Sequence, residues 1–142
     1  MRILVVDDDH NVVFGLKFLL EAEGYEVFSA SSPDALLTML KQQSFDVLLL
    51  DMNFHHDTTS GQEGLLLLKQ VRSLDEFLPV IMLTGWATVE LAVSSLKLGA
   101  SDFLQKPWDD ERLLHAIKTR INQAQKDHQL RCLSEENLLL KA

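Results

Sequence analysis

Cysteine and membrane-spanning segments are what this sequence most clearly lacks. Among 142 residues there is one cysteine, Cys132, so an internal disulfide framework is excluded. No apolar run approaches the ~20 residues that a helix needs to cross a bilayer. The first residues, MRILVVDDDH, carry acids directly after a short apolar run and do not resemble a signal peptide. We therefore expect a cytoplasmic protein without a membrane segment.

Basic residues are fewer than acidic residues in this sequence. The chain has 13 lysines and arginines against 21 aspartates and glutamates, which gives a formal net charge of -8. Because nucleic-acid phosphates attract a basic surface, we expect this segment not to bind nucleic acid directly. Hydrophobic residues make up 46% of the chain and charged residues 24%, which is ordinary for a globular domain. The length allows one domain with a proper core.

Five short apolar runs are present, and segments with helical periodicity lie between them. The runs are continuously apolar rather than alternating, which favours a parallel sheet with helices on both faces. We therefore predict a doubly wound α/β domain over residues 1–122. The predicted strands are Ile3–Val6, Glu26–Ser29, Val47–Leu50, Val80–Leu83 and Phe103–Leu104.

Helix ends and helix faces are predicted from local patterns. Ser32 before Pro33 is typical of a helix start, and Gly24 and Gly99 stand where a helix ends in a left-handed residue. The apolar positions of three predicted helices each fall on one face at helical spacing. These faces comprise Val12, Leu16, Leu19 and Leu20; Leu65, Leu67, Leu68 and Val71; and Val89, Ala92, Val93 and Leu96.

Residues 123–142 differ from the rest of the chain because they are polar and favour a helix. Four of them have coiled-coil-like spacing, but this pattern does not continue in phase from the preceding helix. An amphipathic tail and a dimer or linker helix fit the pattern equally well. The four positions are Leu130, Leu133, Asn137 and Leu140.

Acidic side chains follow two of the predicted strands. The stretch ILVVDDDH places Asp7, Asp8 and Asp9 at the end of the first strand, and Asp51 follows the third. In doubly wound sheets the functional crevice lies beyond the carboxyl ends of the strands, so we expect these acids to meet. Like charges this close repel one another unless a cation binds them. An oxygen-rich site suits Mg²⁺, although for Asp9 alone a helix cap is an equally good interpretation.

Thr84 after the fourth strand and Lys106 after the fifth extend this predicted site. A carboxylate that the metal leaves available can attack a phosphoryl group and form an aspartyl phosphate. A metal ion and a lysine would offset the charge on the phosphoryl oxygens. The hydroxyl of Thr84 could hydrogen-bond the added group and so report its presence.

The motifs VVDDD, LLLDMN, LTG and DFLQKPW occur in this order, and through them residues 1–122 resemble the receiver domain of two-component response regulators. The resemblance implies a flavodoxin-like (βα)5 fold, with five parallel strands in the order 2-1-3-4-5 and a C-terminal helical extension. It also implies a signalling domain rather than an enzyme. A sensor histidine kinase would phosphorylate it, and it would form a homodimer.

The same resemblance implies roles for individual residues. Asp51 would be the phosphoacceptor. Mg²⁺ would bind to the side chains of Asp8 and Asp51 and to the backbone carbonyl of Asn53, while Asp7 would hold the metal through water. Thr84 would be the switch hydroxyl, Lys106 the lysine that contacts the phosphate, and Phe103 the switch aromatic residue. The peptide bond between Lys106 and Pro107 would be cis.

The segment after Asp51 departs from the pattern of that family. It has no proline, and Gly64 takes the place of the family's glycine, so residues 54–63 contain an insertion. We assign the pair His55–His56 within it to a solvated loop, because no second ligand group has metal-site spacing. The motifs DMNF, DTTSGQEG and KPW resemble regulators of the NtrC type. In those proteins the receiver precedes an AAA+ ATPase that activates sigma-54 RNA polymerase and a DNA-binding domain, which would make transcription the regulated process.

Other interpretations of these residues stay open. A haloacid-dehalogenase-like phosphohydrolase would use Asp7 as its nucleophile in an Asp7-x-Asp9 pattern, although that chemistry has no need of Asp51. A stand-alone receiver, and an interaction module that has lost phosphorylation, would keep the fold without downstream domains. A flavin-binding protein is disfavoured because three acids at the first turn repel a phosphate. The aspartate that takes the phosphoryl group separates the phosphohydrolase from the receiver.

Overall fold

Strands and helices alternate along the whole chain. The computed structural model describes residues 1–51, 62–85, 89–106 and 108–141, with side chains in the last helix up to residue 126. None of the helices in these ranges is both long and apolar enough to cross a membrane. The elements are β1 (Arg2–Val6), α1 (His10–Ala22), β2 (Glu26–Ala30), α2 (Pro33–Gln42), β3 (Val47–Asp51), α3 (Gln62–Leu74), β4 (Val80–Thr84), α4 (Val89–Lys97), β5 (Asp102–Gln105) and α5 (Asp110–Lys141).

The five strands form one parallel sheet in the order β2-β1-β3-β4-β5. This confirms the predicted fold, and the ends of each strand lie within one residue of the prediction. The chain passes from β1 to β2 on one side and then crosses to β3 on the other. The carboxyl ends of β1 and β3 therefore border the point at which the strand order reverses, where doubly wound folds place their functional crevice.

The sheet separates two hydrophobic cores. Neighbouring strand residues point to opposite faces, so Leu48 and Leu50 belong to one core and Leu49 belongs to the other. The first core is closed by α2, α3 and α4, and the second by α1 and α5. Both faces of the sheet are covered, which explains why the strands are continuously apolar.

Several predicted helix ends are present in the structure. The Ser32 side chain accepts a hydrogen bond from the Ala35 amide at 3.1 Å, and Pro33 is the first residue of α2. Gly24 and Gly99 have φ angles of 92° and 105°, as expected where a helix ends in a left-handed residue. Asp9 caps α1 by accepting a hydrogen bond from the Asn11 amide at 2.9 Å.

The apolar face predicted for α4 is not the face that packs on the core. Val93 and Leu96 are 43% and 51% exposed, whereas Leu91 and Ser95 are buried. This helix has only nine residues and carries apolar side chains on more than one face, so its periodicity does not identify the inner one. A polar residue can lie inside because the Ser95 hydroxyl donates to the Leu91 carbonyl at 2.9 Å.

The first turns of the long helix α5 pack on the domain. Among the side chains of this helix that the structure describes, four are buried in the second core. The predicted coiled-coil positions fall farther along the same helix, beyond the residues whose side chains are described. The four buried residues are Leu113, Ala116, Ile117 and Ile121.

Candidate functional site

The carboxyl edge of the sheet brings four predicted site residues together. Asp7 directly follows β1, Asp51 ends β3 and Thr84 ends β4. Lys106 directly follows β5, and its amide donates to the Thr84 carbonyl at 2.5 Å. Asp7, Asp51 and Thr84 are buried, at 1%, 3% and 0% exposure. Residues from four separate strands therefore line one small site.

Three carboxylates form the acidic part of this site. The side chains of Asp7, Asp8 and Asp51 each offer an oxygen atom, and these atoms lie within 4.8 Å of one another. Asp8 faces solvent, whereas Asp7 and Asp51 are buried. Buried like charges repel one another, and carboxylate oxygens are the ligands that Mg²⁺ prefers. The donor set therefore fits a hard divalent cation.

Lys106 supplies positive charge to the two buried acids. Its Nζ atom lies 2.8 Å from Asp7 Oδ2 and 3.4 Å from Asp51 Oδ1. Burial lowers the pKa of Lys106, but its hydrogen bond to Asp7 and the charges of Asp51 and Asp7 raise it more, so the pKa lies above its ordinary value. The ammonium group is therefore protonated at neutral pH and binds both carboxylates.

Asp9, the third acid of the opening stretch, has a different position. Its carboxylate accepts the Asn11 amide as the cap of α1, and its own amide donates to Asp7 Oδ1 at 2.9 Å. Asp9 is exposed, and its contacts belong to the start of the helix. The helix-cap interpretation of this residue is therefore the one that the structure supports.

Thr84 and Phe103 lie on the same face of the sheet. Met82 is the residue opposite Phe103 in the register of β4 and β5, and Thr84 is two positions farther along β4. Alternate residues of a strand share a face, so Thr84 points to the α4 side, where Phe103 packs against the first core. The threonine hydroxyl and the aromatic ring are thus diagonal neighbours beside α4.

Some predicted site residues lie outside the described ranges. These are Asn53 and Pro107; residues 54–61 of the predicted insertion, with His55 and His56, lie outside those ranges too. The metal contact of Asn53 and the cis peptide bond between Lys106 and Pro107 stay predictions.

Removal and addition of Mg²⁺ test the acidic site directly. A ligand that binds only the folded state raises the free energy of unfolding by about 2.7 kcal/mol at 100 times its Kd. We expect Mg²⁺ to produce an increase of this kind in urea denaturation of the wild-type chain. In Asp8→Asn, most of this stabilisation by Mg²⁺ should be lost. Glu21→Gln removes an exposed acid at the far end of α1 and should respond as the wild type does. Equal responses of all three proteins would exclude the acidic site as the point of binding.

Comparison with known proteins places the chain among signalling proteins. Residues 3–118 match the model of the response regulator receiver domain. The chain is 37% identical to the transcriptional regulatory protein FixJ of Bradyrhizobium diazoefficiens over 124 residues, which cover 87% of this chain and 58% of FixJ. It is 38% identical to the transcriptional regulatory protein ZraR of Escherichia coli K12 over 111 residues, which cover 78% of this chain and 24% of ZraR. It therefore spans less than two thirds of either relative.

A solved structure agrees with these matches. The beryllofluoride-activated NtrC4 receiver domain, determined in solution as a dimer, superposes with a TM-score of 0.79 at 31% identity. The match covers 87% of this chain and 98% of the NtrC4 chain. Almost the whole of that domain thus has a counterpart here.

Proposed function

Because the chain belongs to the family of response regulator receiver domains, which are signalling domains rather than enzymes, we propose that it accepts a phosphoryl group on Asp51 from a sensor histidine kinase. The observation that carries this proposal is the position of the Asp51 carboxylate. It ends β3 beside the carboxylates of Asp7 and Asp8, and its Oδ1 atom lies 3.4 Å from Lys106 Nζ. A carboxylate is a competent nucleophile toward phosphorus when nearby positive charge stabilises the transferred group.

The transfer exchanges one bond to phosphorus for another. A carboxylate oxygen of Asp51 attacks the phosphorus of the kinase phosphohistidine, the P–N bond breaks, and the imidazole leaves with the bonding electrons. Lys106, 2.8 Å from Asp7 and 3.4 Å from Asp51, stays protonated and moves toward the phosphoryl oxygens. When bound, Mg²⁺ supplies charge neutralisation at those oxygens. Its proposed ligands are the side chains of Asp8 and Asp51 and the backbone carbonyl of Asn53, with Asp7 acting through water.

Phosphorylation then acts on the face built by α4, β5 and α5. The Thr84 hydroxyl turns toward the phosphoryl group, and Phe103, its diagonal neighbour beside α4, moves into the space that is vacated. A modification shifts a two-state equilibrium only as far as it distinguishes the two states. The consequence is a change in self-association, and the NtrC4 receiver, which is a dimer when activated with beryllofluoride, supports a homodimer here.

The proposal extends to a wider role, which the relatives support. Residues 1–122 act as the receiver, and residues 123–142 form a helical linker toward further domains in a longer protein of the NtrC type. Those domains are an AAA+ ATPase that activates sigma-54 RNA polymerase and a DNA-binding domain, so the regulated process is transcription in the cytoplasm. The names of FixJ and ZraR as transcriptional regulatory proteins support control of transcription. Our proposal includes the cis peptide bond between Lys106 and Pro107.

The first test is the intact mass of the wild-type chain after incubation with acetyl phosphate. We expect one phosphoryl adduct when Mg²⁺ is present and none when it is replaced by a chelator, because the single charge of Lys106 does not offset three carboxylates and the phosphoryl oxygens without the metal. Peptide mapping should place the adduct on Asp51. An adduct on any other residue, or one that forms equally well with the chelator, would contradict the proposal.

A further inference from the structure

Arg72 joins three backbone segments at the edge of the sheet opposite the acidic site. It lies near the C-terminal end of α3, and its Nε and Nη2 atoms donate to the Gly99 carbonyl at 2.9 and 2.5 Å. Its Nη1 atom donates to the carbonyls of Leu78 and Asp75, at 2.5 and 3.2 Å. The planar guanidinium has donors enough for all three carbonyls. One side chain therefore ties α3 both to the loop before β4 and to the turn after α4.

Gly99 is the residue that makes this contact possible. Its φ angle is 105°, and a Cβ atom at this position would lie 2.8 Å from Arg72 Nε. Glycine thus allows the left-handed end of α4 and leaves room for the guanidinium. The carbonyls at the end of a helix have no partner within the helix, and Arg72 provides one just beyond the last turn of α4.

The same turn is also fastened to the start of β4. Two residues after Gly99, the Ser101 amide donates to the Val80 carbonyl at 2.8 Å, and the Val80 amide donates to the Ser101 hydroxyl at 3.2 Å. The C-terminal end of α4 is consequently held from two sides, by Arg72 and by the beginning of the neighbouring strand β4. Its N-terminal end begins at Val89, five positions after Thr84.

From this arrangement we propose that Arg72 is a positioning residue that fixes the C-terminal end of α4, so that phosphorylation of Asp51 moves the helix about that end. The inference rests on the proposed function, since it concerns the movement that phosphorylation produces. Without the guanidinium, the turn at residues 97–101 keeps its bonds to Val80, and residues 97–100 can follow the rest of the helix. The response to phosphorylation then extends along the whole of α4.

Hydrogen exchange of the 142-residue chain, with and without beryllofluoride and Mg²⁺, tests this inference. In the wild type we expect exchange to change at residues 89–94 and to stay constant at residues 97–101. In Arg72→Met we expect beryllofluoride, which activates the NtrC4 receiver, to change exchange at residues 97–101 as well, by a factor similar to the one at residues 89–94. Lys69→Met, which removes an exposed cation from the same helix α3, should behave as the wild type does.

A purely structural role gives a different result. In that case Arg72→Met would raise exchange at residues 97–101 by the same factor with and without beryllofluoride, and the inference would be overturned. If Arg72→Met does not fold, Arg72→Lys replaces it, because a compact ammonium lacks the planar fork that reaches Gly99 and Leu78 together. In Arg72→Lys we expect beryllofluoride to change exchange at residues 97–101 as well, but by a smaller factor. Exchange that stays constant there, as in the wild type, would overturn the inference.

The two proposals fail in different ways. A wild-type chain that accepts the phosphoryl group but responds evenly along the whole of α4 overturns the role of Arg72 and leaves the phosphoacceptor in place. A wild-type chain that forms no adduct with acetyl phosphate and Mg²⁺ overturns the proposed function itself.

Discussion

Asp51→Asn is expected to accept no phosphoryl group from acetyl phosphate and Mg²⁺, with loss of the adduct to the detection limit of intact-mass measurement. The amide keeps the size of the side chain but has no anionic oxygen to attack phosphorus. The variant should fold, because the substitution removes one charge from a cluster in which three carboxylates lie within 4.8 Å and so relieves repulsion. Urea denaturation without metal should show it to be at least as stable as the wild type.

Asp7→Asn is the matched control for this experiment. It removes the other buried acid that contacts Lys106 but leaves Asp51 as nucleophile, so we expect a slower reaction with the adduct still on Asp51. An adduct that persists in Asp51→Asn and disappears in Asp7→Asn would support the phosphohydrolase alternative instead. No adduct on the wild type under any condition would favour an interaction module without phosphorylation.

Lys106→Met should have the second largest effect. It removes a cation that lies 2.8 Å from Asp7 and 3.4 Å from Asp51, two carboxylates whose side chains are 0% and 4% exposed. Breaking a buried ion pair by removing one partner costs about 3–5 kcal/mol. Because the Lys106 side chain is itself 23% exposed, we expect the free energy of unfolding without metal to fall by about 3 kcal/mol, the lower end of that range. Loss of one electrostatic contact to the transferred group should slow phosphorylation by about 10²–10³-fold, measured from the rate at which the adduct appears.

Two comparisons show whether these effects come from the site. Lys97→Met removes an exposed cation from α4 and should change neither stability nor rate appreciably. Mg²⁺ should stabilise Lys106→Met more than it stabilises the wild type, because the metal then replaces the missing charge. If the stabilisation by Mg²⁺ is the same in both proteins, the lysine and the metal do not act on the same carboxylates.

The sheet and its connections were predictable from the sequence for a physical reason. Strands buried on both faces must be apolar at every position, so runs such as Val47–Leu50 are visible without alignment and end where the polar site begins. Gly24 and Gly99 were identifiable because few other residues tolerate a positive φ. The inner face of α4 was not identifiable from the sequence. Ser95 is polar, which predicts an exposed position, but it is buried because its hydroxyl donates a hydrogen bond to the Leu91 carbonyl.

The sequence predicts which residues lie at the site better than it predicts which of their side chains contact one another. The position of a residue at a strand end follows from the strand, which is how Asp51 and Thr84 were found. That Lys106 lies closer to Asp7 than to Asp51 depends on side-chain packing that sequence spacing does not encode. Arg72 was missed because an arginine in the last turn of a helix is usually solvated or interacts with the helix dipole, and its partner Gly99 is 27 positions away.

The length of α5 has a mechanical consequence. From Ile121, whose side chain is buried in the second core, the helix continues for 20 residues to Lys141, which is ~30 Å at the rise of an α-helix. A rigid rod of that length is a lever, and a tilt of ~5° at its base carries its far end ~3 Å. Any small tilt of α5 at the sheet would therefore be enlarged along the helix, and an angle of a few degrees at Ile121 would become a displacement of ångströms at Lys141.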